Sequence, residues 1–202
     1  MNWNNLLFYR WMAFNLVGLA ILLVFFMQGL VAPVFLSDSS HITYVIAALF
    51  TYGMVLCGYR VWKTACEINA VKSGGKGKLR DFVALSARTD RESVKEAFEI
   101  KLFARIAFVK YIASSLVMLG LLGTVIGFIM VLTQVPANAV GDTSQVGKLV
   151  AVLTHGMGVA LYTTLVGAVT NLWLNANYTM LRTGVVNLIA AILEAADPDP
   201  AA

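Results

Sequence analysis

Charge is the scarcest ingredient of this 202-residue chain: 13% of its residues are Asp, Glu, Lys or Arg, where a soluble domain carries about 25%. Hydrophobic residues make up 59%, more apolar surface than a water-soluble fold of this length can hide, so the composition is that of a membrane protein. The same excess excludes disorder, and four prolines in 202 residues exclude collagen. The two cysteines form no scaffold: Cys57 lies inside an apolar run and Cys66 in the basic segment after it. Both are expected to be small apolar fillers. The two histidines, His41 and His155, stand far apart with no Cys or His at ligand spacing, so no zinc signature exists. His155 reads as an interfacial, structural residue. No Ser-His-Asp set, paired carboxylates or phosphate loop occurs at a plausible depth, and neither an enzyme nor a resident cofactor is expected.

The missing charge is concentrated in four stretches: Trp11 to Ser37, His41 to Tyr59, Tyr111 to Gly141 and Leu149 to Leu181. About 20 apolar residues cross a bilayer core as a helix, and a Lys or Arg at its centre costs about 2.5 to 3.5 kcal/mol. All four stretches are therefore predicted to be transmembrane helices. The first is too long for a signal peptide, lacks a small-x-small cleavage site before Ser37, and reads as a retained helix with Pro33 near its outer end.

Twelve of the fifteen Lys and Arg lie between Arg60 and Lys110; Arg10 precedes the first helix, Arg182 follows the last, and only Lys148 falls in an outer loop. The positive-inside rule then places both ends and the central segment in the cytoplasm. The net charge of +4 reports this topology, and no nucleic-acid partner is implied. The central segment holds a flexible turn from Ser73 to Lys78 and a short amphipathic helix carrying Leu79, Phe82, Val83 and Leu85. A further helix starts at Thr89, in capping-box spacing with Glu92, and turns Val94, Phe98, Leu102 and Ile106 to one face. With no breaker before Pro136, helix three extends into the cytoplasm as one rod. Helix four, with about 33 uncharged residues, does the same; Asn171, Asn175 and Asn177 mark where it leaves the hydrocarbon. The tail from Asp197 to Pro200 is expected to be disordered. The fold class is thus an all-α, polytopic membrane protein with four transmembrane helices.

Helices one and two are generic in composition, suited to lipid-facing walls. Helix three instead carries Gly120, Gly123, Thr124 and Gly127 on one face, and helix four carries Gly156, Ala160, Thr163, Thr164, Gly167 and Asn171 as a stripe of small and polar residues. Such stripes serve close helix packing, or they form a polar seam for a partner helix bearing an ionisable group. No acidic or basic residue lies at hydrocarbon depth. Transport of ions normally leaves an ionisable group in the membrane, so if this chain conducts, another polypeptide supplies that group.

The run Gly120-Leu121-Leu122-Gly123-Thr124-Val125-Ile126-Gly127 resembles the hallmark of the MotA/TolQ/ExbB channel family, and the run from Gly158 to Gly167 resembles its second hallmark. The resemblance implies a pentamer of this chain around two copies of a single-span partner, whose transmembrane Asp titrates and whose remainder reaches the periplasm. Ion flow, of H⁺ or Na⁺, would drive one ring against the other in a bacterial inner membrane. Thr124 and Thr164 match the family threonines beside the partner Asp; Thr163 and Asn171 would extend that path, and Gly120, Gly123, Gly127 and Gly167 would keep the face thin.

Four helices resemble the MotA branch, as does Val159 where the ExbB branch carries Glu, and Thr163 beside Thr164 is similar to sodium-driven stators. Two features depart from flagellar stators: Trp173 and Asn177 stand where those carry a proline, and the cytoplasmic segment is shorter. Arg88, Arg91 and Glu92 either form a cytoplasmic effector contact or are simply solvated. On this reading residues 1–62 are peripheral helices, 63–105 a cytoplasmic helical segment, 106–181 the channel-lining helices and 182–202 a cytoplasmic tail. The competing reading is a partner-independent tetraspan transporter or scaffold.

Overall fold

The computed structural model describes residues 6–29, 31–36, 41–72, 82, 91–133 and 146–196, and every regular element among them is helical. The helices are α1 (Leu6–Met27), α2 (Ala32–Leu36), α3 (Ile42–Lys72), α4 (Arg91–Thr133) and α5 (Val146–Ala196). Helices α1, α3, α4 and α5 are long and apolar enough to cross a membrane, which is the four-span, all-α architecture predicted. At 43 and 51 residues, α4 and α5 reach about 65 and 77 Å at 1.5 Å per residue. Both exceed the roughly 30 Å hydrocarbon core by a wide margin. The expected turn at 73–78, the residues Leu79, Val83 and Leu85, the Thr89 cap, Arg88 and the tail from Asp197 lie outside the described residues, as do the side chains of Pro33, Arg91, His155 and Val159.

One expectation needs correction. The first apolar stretch was predicted as a single helix to Ser37, but α1 begins at Leu6 and ends at Met27. Gly29 takes a left-handed conformation (φ 72°) and its N–H donates to the Phe26 carbonyl at 3.0 Å. A glycine in this conformation is a usual helix stop, because an L side chain there would strain the backbone. Pro33 consequently belongs to the separate short helix α2. Arg10 lies within α1 and is exposed, a position from which a long basic side chain reaches the polar interface.

The chain forms two compact units. One comprises Met1–Val17, Met54–Tyr111 and Asn175–Ala202; the other comprises Gly18–Gly53 and Ile112–Leu174. In the first unit, Val94, Leu102 and Ile106 of α4 are buried and Phe98 is half-buried, as their spacing predicts. Val71, Phe82, Val94, Leu188 and Ile192 make its apolar cluster, with Phe82 edge-on to Phe98 at a centroid distance of 5.8 Å. Burying one such ring contributes roughly 1.5 to 3 kcal/mol where water is the alternative.

Helix α1 is less generic than its composition suggests. Asn15 donates through Nδ2 to Oδ1 of Asn177 at 2.7 Å and to the Trp11 carbonyl at 2.8 Å, and Asn177 is wholly buried. An interhelical amide bond of this kind contributes about 0.6 to 2 kcal/mol inside a membrane. It ties α1 to α5. The same pair of helices meets at Gly184, where an added methyl would press on the Leu7 side chain at 2.5 Å.

Candidate functional site

The candidate residues all belong to the second unit. There the small-residue face of α4 lies against that of α5, in antiparallel sense. A methyl built on Gly120 would sit 3.2 Å from Gly167 Cα and 3.2 Å from the Thr163 carbonyl oxygen. One built on Gly123 would meet Thr163 Oγ1 at 2.6 Å, and one on Gly127 would meet Ala160 Cβ at 3.2 Å. Farther along, Gly156 receives the Val131 side chain. Position by position, 120, 123, 127 and 131 of α4 oppose 167, 163, 160 and 156 of α5. Absent side chains let the two backbones touch.

The threonines divide between two environments. Thr163 is enclosed, with no exposed surface, and its hydroxyl donates to the Ala160 carbonyl of its own helix at 2.9 Å. It faces Gly123 and fills the space that glycine leaves. Thr124 and Thr164 are half-buried. Thr124 donates to the Leu121 carbonyl at 2.6 Å, whereas Thr164 crosses between helices to the Gly120 carbonyl at 3.2 Å. Adjacent carbonyls of α4 thus hold both hydroxyls on one stretch of the seam. Asn171, one turn beyond Gly167, is half-buried.

Chemistry follows from those donors. A hydroxyl carries one proton and two lone pairs; when the proton is given to a backbone carbonyl, the lone pairs alone face outward. Thr124 and Thr164 are therefore arranged as acceptors, suited to a cation or to the O–H of a neutral carboxylic acid. An ionised carboxylate would require the hydroxyl to rotate and abandon its carbonyl. The surroundings are apolar: Leu121, Val125, Leu161 and Leu165 are exposed on the same helices.

Two contacts escaped the sequence reading. Trp173, at the position where a proline was sought, packs on α1 and α3: a methyl on Gly18 would collide with its indole, and the Phe50 ring lies 5.6 Å from it, tilted. Leu174 fills the space beside Gly53, where a methyl would meet it at 2.7 Å. The available signal was glycine in otherwise bulky helices, Gly18 and Gly53, each a mark of close approach.

No curated protein and no solved structure matches this chain. The sequence model of one family does, over residues 71–194, a range that takes in α4, all but the last two residues of α5 and every glycine and threonine of the seam. With that match on more than half its length, the chain belongs to the MotA/TolQ/ExbB proton channel family and is a multi-pass membrane protein with an ion-channel role in a membrane complex.

Proposed function

We propose that the chain is the ion-conducting subunit of an ion-motive-force-driven motor, a ring of five copies around a dimer of a single-span partner, in a bacterial cytoplasmic membrane with both chain ends inside. The observation that carries this reading is a hydroxyl-bearing seam between two of the four charge-free stretches. The wall accepts protons or cations but holds no Asp, Glu, Lys or Arg at that depth. An Asp in the partner's span completes it. Neutral, the acid donates to the lone pairs of Thr124 or Thr164; charged, it is costly beside Leu121 and Leu165 and must move toward water. Alternation between those forms, driven by the ion gradient, turns one ring against the other.

Thr163 bears on the choice of ion. A dehydrating metal cation needs several oxygen ligands, and of the adjacent pair only Thr164 has exposed surface. Protons are therefore the favoured ion over sodium. Asn171 extends the polar path along α5, and a cytoplasmic effector reads the motion.

Assembly is tested by purifying the chain with the single-span protein encoded beside it and weighing the complex. The expected mass is that of five chains and two partners; a stable monomer indifferent to the partner would contradict the proposal.

A further inference from the structure

We propose that a cleft at the polar edge of the apolar band binds a phosphate group. The cleft lies between α3, α4 and α5 and measures about 310 Å³, counting the space at its open mouth. Arg60, Lys63 and Arg105 line it with one carboxylate, Glu67, above a floor that includes Leu102 and Leu188. None of the three basic side chains is ion-paired with a described residue, and Arg60 Nε is buried with no acceptor. Like charges drawn around one cleft repel, and a buried N–H without an acceptor is costly. A bound anion relieves the repulsion.

Level in the membrane and donor chemistry narrow the anion. Arg60 ends the charge-free stretch that starts at His41, Arg105 lies less than two turns before the stretch that starts at Tyr111, and Val185 and Leu188 follow the stretch that ends at Leu181. Three helices thus leave their apolar stretches at the height of the cleft. That height in a bilayer is where phospholipid phosphates lie. Two guanidinium forks match a tetrahedral oxyanion with paired N–H donors, and Lys63 adds a point charge. The inner part of the cleft is narrow, so the phosphate occupies the mouth, where Lys63 and Arg105 are exposed. A lipid headgroup and a free phosphate ion offer the same chemistry.

The test is native mass spectrometry of the full chain in detergent, titrated with short-chain phosphatidylglycerol, short-chain diacylglycerol, which lacks the phosphate, or inorganic phosphate. Phosphatidylglycerol is expected to bind one per chain, and Lys63→Gln/Arg105→Gln to weaken it about tenfold or more, given the contribution of each basic residue near an anionic headgroup. Both residues are exposed, so the fold should survive. Arg60→Gln is a second variant expected to act in the same sense. Lys95→Gln/Lys101→Gln removes equal charge from exposed positions that do not line the cleft and should change binding less than about twofold. Displacement by inorganic phosphate would identify the free ion as the occupant, retention against it the lipid headgroup; either supports a phosphate site. Equal losses in the cleft and control variants, or phosphatidylglycerol binding no tighter than diacylglycerol without competition by phosphate, would overturn it. The outcome is independent of whether the seam conducts.

Discussion

Replacing Gly167 with Ala should force α4 and α5 apart and abolish ion conduction. The added methyl would lie 2.7 Å from the Leu116 carbonyl oxygen, 2.9 Å from Gly120 Cα and 3.2 Å from Gly120 N. All three are backbone atoms of α4, so no rotamer change relieves the clash. Overpacking of this kind costs about 1 to 3 kcal/mol, and a clash with backbone belongs at the upper end. The three atoms nearest a methyl on Gly123 all belong to the Thr163 side chain; that residue's β-branched rotamer is stiff, and a smaller but definite loss is expected for Gly123→Ala. Gly147 and Gly158 have nothing within 4 Å of an added methyl. Alanine there should melt like the parent. Thermal unfolding of the purified complex, alongside ion flux in vesicles, checks the series. An unchanged melting temperature for Gly167→Ala would mean that the two backbones do not touch.

The second large effect separates neighbouring threonines. Thr164→Val keeps the shape of the side chain but removes the lone pairs on the half-buried face and the bond to the Gly120 carbonyl. Ion-driven flux should fall about a hundredfold, equivalent to roughly 2.7 kcal/mol on the barrier, while the complex still assembles. Thr163→Val removes a hydroxyl that serves only its own helix, inside an enclosed contact. Such bonds back to the preceding turn contribute little, and flux should stay within about threefold of the parent. Equal loss in both variants would show that Thr163 reaches the ion path.

The contrast between those two residues also marks where sequence stops being informative. The four spans were legible because transfer energy accumulates along the chain, and a charge-free stretch announces itself without reference to its neighbours. The glycine and threonine stripes were legible from spacing of three and four. Which of Thr163 and Thr164 turns inward was not: they lie about 100° apart on the helix, and the approach of α4 sets the rotation. Hydropathy likewise missed the end of α1, since Gln28 and Gly29 carry no charge and the stop is a backbone conformation. Asn15 was overlooked for the same reason. A neutral amide does not interrupt a charge-free stretch, though it cannot be buried there without a partner, and that partner is Asn177.

The proposed division between wall and acid would account for hydroxyls, glycines and the lack of Asp, Glu, Lys or Arg in the apolar stretches of the longest helices. Ion flux into sealed vesicles under an imposed gradient measures it most directly, first with the chain alone and then with the proposed single-span partner. Flux is expected at the level of lipid leak for the chain alone, with a clear rise when the partner is added and a return to leak when Asn replaces the partner's membrane Asp. Full conductance from the chain by itself would contradict it.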